Sequence, residues 1–362
     1  MTYPAAPDDR PASERASTGA PAPRRRSVPF TAGDGHPGTL VHVTGPTPPS
    51  RGPVLLIHGA GVRADIFLPP TGRTMVDVLL DAGYDVWLEN WRASIDLPPH
   101  PWTLDQAAVF DHPVAVRRVL EETGADHLKV LAHCQGSTSF MMAAVAGLVP
   151  QVTTIVSNAV SLHPVIPGLA RAKLALAALC VRHLIDYMNP QWGRHAPAGI
   201  PRILDGIVRL THHECDNAVC RHVSFTYGAG FPTLWSHENL DAATHAWISG
   251  EFGPCSMAFF HQMARSVRAG RLVCVEGHAE LPRDVLQHPP RTDARIVFMA
   301  GQDNKCYLAE SQIRSFRYFD ALRPGHHALL LVPGYGHLDV FLGRHAARDV
   351  FPQVLEALDG PD

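Results

Sequence analysis

The stretch Val130-Leu131-Ala132-His133-Cys134-Gln135-Gly136-Ser137 closes an apolar run with a small-x-Cys-x-Gly pattern. A strand that turns sharply into a helix lifts the side chain at the turn above the sheet, and small neighbours leave room for the strained backbone. Ala132 and Gly136 are those neighbours, and Cys134 sits at the tip. A thiolate there can attack an acyl carbonyl. The N–H of Gln135, at the helix start, can hold the developing oxyanion. In "LLIHGAG" (His58-Gly59-Ala60-Gly61) a Gly-rich loop follows an earlier strand, and Ala60 is the expected second oxyanion donor. Asp303 in "FMAGQDNKCY" stands just past a strand-like run, where an acid could orient an imidazole. His337 in "VPGYGHLDVF" lies in a Gly-flanked loop near the C-terminus, where the base belongs. Singly these are commonplace: a buried cysteine, a Gly-rich turn, a turn aspartate, a loop histidine. In the chain order nucleophile, acid, base they point together to a Cys134–His337–Asp303 triad. His58, Gly59, Gly61, Ala132 and Gly136 are its expected supports.

Short apolar runs position these residues. They are residues 39–45, 53–59, 85–91, 128–134, 153–160, 295–301 and 328–334, each ending in turn residues. Near-continuous runs of this length suit strands buried on both faces of a parallel sheet. Helical stretches alternate with them. Thr103-Leu104-Asp105-Gln106 reads as a capping box opening a helix toward Glu122, with Pro113 expected to kink it. "STSFMMAAVAGL" (137–148) starts a helix directly after the cysteine turn. The pattern predicts an α/β fold with a doubly wound, mostly parallel sheet over 28–161 and 291–362. Between 162 and 290 the regularity breaks. An amphipathic helix, "LARAKLALAALCVRHLI", is followed by Pro-, Gly- and His-rich segments, read as a helical cap over the carboxyl ends of the strands. Residues 1–27, rich in Pro, Ala, Ser and charge, read as a disordered tail.

Composition limits the function. Net charge is −3, which supplies no basic field for nucleic acid. No run approaches the 18 or so apolar residues of a membrane span, and no secretory apolar segment follows the N-terminus or Arg24-Arg25-Arg26. Seven cysteines with irregular spacing fit reduced thiols and a cytoplasmic location better than a disulfide framework. His212, His213, Cys215, Cys220 and His222 cluster in "HHECDNAVCRH". The spacing is not a Cys-x2-Cys pair and no second half is apparent, so the expectation is cap structure and no metal. Sequence leaves open whether Cys215 and Cys220 pair. Asp339, two residues after His337, is read as structural, and Ser137 as facing away from the thiol's target.

"HGAG", "DVWLENWR", "AHCQGS" and "GYGHLDVFLGRHAARDVFP" resemble the α/β-hydrolase superfamily. "DVWLENWR" and "HLDVF" are similar to acid-lipase patterns. The cysteine turn, "CDNAVCRHVSFTYG" and "GQDNKCYLAES" look more like the hydrolase-like regions joined to cholesterol-oxidase-type flavin oxidoreductases. The likeness covers most of residues 50–357. It implies the α/β-hydrolase fold and an ester or lipid-like substrate. No G-x-G-x-x-G site is present, so no flavin domain and no cofactor are expected. Cysteine at the serine position departs from acid lipases; dienelactone hydrolases and polyhydroxyalkanoate synthases also carry it. The expected activity is an ester, thioester or lactone hydrolase working through an acyl-cysteine. An acyltransferase or cyclase, with a carrier protein or coenzyme A as donor, would use the same intermediate, and a non-catalytic binding module is the third reading.

Overall fold

The computed structural model describes residues 23–180, 184–228 and 232–360. Eight strands form one sheet: β1 (Arg24–Thr31), β2 (Pro37–Thr44), β3 (Pro53–Ile57), β4 (Asp85–Asn90), β5 (Leu128–His133), β6 (Val152–Asn158), β9 (Arg295–Gly301) and β10 (Ala328–Val332). Between β6 and β9, β7 (Tyr187–Met188) and β8 (Cys255–Ser256) form a small antiparallel ribbon. The order in the large sheet is β1-β2-β4-β3-β5-β6-β9-β10. β1, β2 and β4 pair antiparallel, and the strands from β4 through β10 run parallel. β3 is buried along its whole length and β5 almost so, as strands covered on both faces must be.

All seven expected runs are strands. β1 was not expected. It begins at Arg24, inside the stretch read as a tail, and its first half is exposed throughout. An arginine-rich edge strand paired on one side needs little apolar character, so its sequence resembles a tail. The rest of the tail reading lies outside the described residues.

The Thr103 capping box is present, with the Thr103 hydroxyl and Gln106 side chain each closing on the other's backbone. The helix then widens to π-form over Ala107–Asp111 before continuing through His112–Thr123. Pro113 lacks the N–H that a regular turn would use there. The widened turn places Asp111 on Arg92 and His112 on Glu89, both inside the core.

The same stretch between β6 and β9 also forms helices Gly168–Cys180, Ile200–Thr211, Ala218–Tyr227, Ala242–Trp247 and Met257–Ala269. Several of their side chains line the cleft above Cys134, where the parallel strands end.

Candidate active site

Cys134 has φ of 54°, a left-handed conformation that a non-glycine residue rarely adopts. It joins β5 directly to the helix Cys134–Val145. A Cβ on Gly136 would lie 2.1 Å from the carbonyl oxygen of His58 and 2.8 Å from Ile57 Cγ2. Only glycine lets the helix start sit this close to the end of β3. Gly59 is also confined, since a Cβ there would lie 3.1 Å from that of Cys134. Gly61 has φ of +68° and faces the Tyr227 hydroxyl, which donates to Ala60 O at 3.0 Å. Ala132 is fully buried in mid-sheet, between Ile57 and Ser157.

Burial pushes the Cys134 thiol up to about 12; the backbone N–H groups of Gln135 and Ala60 reach the sulfur and partly offset this. Both expected donors thus converge on one atom. The Gln135 side chain donates to Tyr307 Oη at 2.7 Å. His58 does not approach the sulfur as a polar group. Its Nδ1–H donates to Gly59 O at 2.7 Å, and its carbonyl accepts from Trp91 Nε1 at 2.9 Å. Burial lowers its imidazole to about 3.

His337 lies beside the thiol. The Cys134 sulfur and one ring nitrogen each of His133 and His337 all lie within 4.8 Å of one another. His337 is 2% exposed, and burial lowers its imidazole to about 3. The resting pair is therefore a neutral thiol and a neutral imidazole.

Asp303 does not meet His337. Its backbone N–H donates to Tyr335 O at 2.9 Å, and the residue is exposed. The neighbour, Asn304, takes the expected place: its Nδ2 lies 3.0 Å from His337 Nδ1. This corrects the assignment of the third residue. After β9 the chain turns by one position more than the sequence suggests, so the buried side chain is the amide. Asp339 stays structural, with carboxylate oxygens accepting from Gly336 N, Ser236 N and Asn239 Nδ2.

The amide fixes more than position. Asn304 Oδ1 accepts from the N–H groups of Cys306 at 2.9 Å and Tyr307 at 3.1 Å. The Nδ2 group must then face His337 and donate, so Nδ1 accepts and the ring proton sits on Nε2. A carboxylate at the same place would accept from all three partners and would hold the proton on Nδ1. His133, buried behind Cys134, makes a parallel contact: its Nδ1 lies 2.8 Å from Asn158 Nδ2, at the end of β6. Neither asparagine was expected from sequence. Each carries its signal only through its position after a strand.

A narrow cleft reaches Cys134 and Gln135, lined mainly by Ile166, Ala170, Leu174, Phe259, Phe260 and Met263, while Ala60 and His337 line a second pocket that also meets Cys134. Lys173 also faces it, its ammonium donating to Phe225 O and Gly228 O. The arrangement offers a thiol, two N–H donors, an imidazole and an apolar channel, which suits a carbonyl with an apolar tail.

Residues 52–178 match the family model for the alpha/beta hydrolase fold. The chain is similar to triacylglycerol lipase 1 of Arabidopsis thaliana, 23% identical over 86% of this chain and 81% of that protein. It is 30% identical to lipase member K of Homo sapiens over 78% of this chain and 73% of that protein. Among solved structures, epoxide hydrolase A of Mycobacterium thermoresistibile shares the fold, with TM-score 0.52 and 20% identity over 94% of this chain and 99% of that one. An esterase of Pyrococcus furiosus does so with TM-score 0.53 and 12% identity over 93% and 91%. On its fold and on its likeness to these lipases, the chain belongs to the α/β-hydrolase family.

Proposed function

We propose that the chain is an acyl hydrolase that cleaves ester, thioester or lactone bonds of an apolar acyl substrate through a covalent acyl-Cys134 intermediate. The observation that carries this reading is the convergence of the Gln135 and Ala60 N–H groups on the sulfur of a left-handed Cys134, beneath an apolar cleft. Backbone strain held at the turn that carries Cys134 has a use in nucleophilic attack. The lipase names of the relatives support a lipid-like ester.

In this mechanism His337 takes the thiol proton while the sulfur bonds to the acyl carbon. The oxyanion rests on Ala60 and Gln135. His337 returns the proton to the leaving oxygen or sulfur, and a water activated by the same imidazole then releases the acid. If Nε2 faces the sulfur, it can accept only after the resting proton moves to Nδ1, which breaks the Asn304 contact. Losing one buried hydrogen bond costs about 1–3 kcal/mol, roughly a 5- to 150-fold rate penalty. The penalty slows the reaction without preventing it. A thiol is also far easier to deprotonate than an alcohol, so it needs less help from the base.

The enclosed, apolar surroundings of Cys134, itself 8% exposed, favour a second reading. Where water is scarce, a thiol or amine acceptor can resolve the acyl-cysteine, giving acyl transfer with a carrier protein or coenzyme A as donor.

The test compares wild type with Cys134→Ala on aryl esters and acyl thioesters, with and without an added thiol acceptor. Free acid from wild type alone supports the hydrolase. A product formed only with the acceptor supports transfer. Equal turnover by Cys134→Ala would rule out both.

A further inference from the structure

The cap holds a second group of ligating side chains, separate from the cleft. Cys215, Cys220, His237 and His245 each place one sulfur or ring nitrogen so that all four atoms lie within 4.8 Å of one another. They come from four different pieces of chain. Cys215 precedes the helix Ala218–Tyr227, and Cys220 lies in its first turn. His237 opens a short 3-10 turn, and His245 is on the helix Ala242–Trp247. Cys215 and Cys220 are free thiols. The sequence suggested no second half for the cysteine pair because His237 and His245 lie 17 and 25 residues beyond Cys220, outside any recognisable ligand spacing. The neighbouring His212, His213 and His222 are used otherwise: His212 contacts Glu214, His213 contacts Leu210 O, and His222 contacts Asp205.

We propose that Cys215, Cys220, His237 and His245 form a structural zinc site in the cap. Two thiolates and two imidazoles are a common tetrahedral donor set for zinc. The geometry is close to what the metal needs. Cys220 Sγ and His237 Nε2 are 3.3 Å apart. A tetrahedron built with ordinary Zn–S and Zn–N bonds would set that pair about 3.6 Å apart. His245 Nε2 is buried and meets no protein partner among the described residues, so a ligand atom is held ready at a desolvation cost. His237 and His245 meet edge to face with ring centroids 4.9 Å apart. Two thiolates on Zn2+ leave the half-buried site without net charge.

Existing contacts shape the cage. Asn217 caps the helix by accepting from Val219 N and Cys220 N, while its Nδ2 donates to His245 O at 2.9 Å. The segment carrying His237 is also fastened to the loop carrying His337. Leu338 N donates to Leu234 O, Asn239 Nδ2 donates to Gly334 O and Asp339 Oδ2, and Arg344 N donates to Asn239 O. The metal would therefore clamp the cap onto that loop.

The test strips the full-length, reduced protein of metal with a chelator and titrates it with Zn2+ and, separately, Co2+. The expected result is one zinc per chain. The cobalt form should show sulfur-to-cobalt charge-transfer absorption, reduced by about half in Cys220→Ala. Cys215→Ala combined with Cys220→Ala should abolish binding. Should that double variant misfold by circular dichroism, His245→Ala serves instead: its side chain is only half-buried, and its loss should weaken zinc at least about tenfold. Cys134→Ala should keep its zinc. The proposal is overturned if both cap variants bind zinc as wild type does, if zinc leaves with Cys134→Ala, or if Cys215 and Cys220 prove to be disulfide-bonded in the native protein.

Discussion

Two histidines flank the Cys134 sulfur, and each has an asparagine amide on its Nδ1: Asn304 on His337 and Asn158 on His133. The two pairs differ in what holds the amide. Asn304 Oδ1 accepts two backbone N–H groups, so its NH2 group can point only at the ring. Asn158 Oδ1 is buried and meets no partner among the described residues. Turning the Asn158 amide over therefore gives up no contact of its oxygen, whereas turning Asn304 would set an NH2 group against two N–H donors. The His337 tautomer is locked, and that of His133 is not. An apparently conservative swap of carboxylate for amide decides which nitrogen carries a proton, and so how readily the imidazole can act as a base. On the proposed mechanism the cost is the modest rate penalty argued above, which predicts that the natural residue at 304 holds the site below its maximum rate.

The comparison can be broken most forcefully by removing each ring. His337→Ala should lower kcat/KM by about 10²- to 10⁴-fold, the usual contribution of a general base. His133→Gln should cost less than about tenfold on the same scale. Steady-state hydrolysis of a short aryl ester measures both, and a larger loss in His133→Gln would transfer the base role to His133.

A smaller effect of opposite sign tests the lock. In Asn304→Asp the carboxylate can accept from Cys306 N, Tyr307 N and His337 Nδ1–H together. We expect kcat to rise about 10- to 100-fold as the tautomer penalty disappears. Wild-type alkylation by iodoacetamide should climb about tenfold per pH unit up to about pH 10, because the thiol is held near 12. Asn304→Asp should instead reach a plateau at lower pH. Unchanged kcat and an unchanged profile would remove the tautomer argument.

Stability should show the neutral rings. His58 and His337 are lowered to about 3, and His133 is also held well below its ordinary value of 6.5, all by burial first. Between these values and about pH 6.5 the unfolded chain binds protons that the folded chain refuses, so stability rises with pH across that window. It should be fully present above about pH 6.5 and fall steadily as pH drops toward 3. Urea midpoints from pH 4 to 8 measure this, and a flat profile would contradict neutral burial. The smallest effect belongs to Asp303. It is exposed and away from the ring, so Asp303→Asn should change kcat less than about twofold and stability by less than about 0.5 kcal/mol.

Much of this was legible in the sequence, for identifiable reasons. The strands were readable because doubly covered strands are continuously apolar, and Cys134 because its turn demands small residues on fixed sides. Gly136 illustrates the second point: its missing side chain is required by the His58 carbonyl, a contact between distant segments that left its mark as a glycine. Asp303 misled because a carboxylate one residue from the true contact is chemically the more familiar partner. Only the backbone direction after β9 shows that the side chain facing His337 belongs to Asn304. The Cys/His cluster in the cap was only half visible for a related reason. Half of it is brought to Cys215 and Cys220 by the packing of the cap, which no local spacing encodes. β1 was hidden by its exposure.

The central claim is that Cys134 carries the acyl group, and the most direct measurement is intact-protein mass after brief exposure to a panel of acyl esters and thioesters, with released acid followed in parallel. The account predicts an adduct of one acyl mass on wild type, none on Cys134→Ala, and free acid accumulating as the adduct turns over. An acyl adduct that persists in Cys134→Ala, or acid release by both proteins without any adduct, would contradict it.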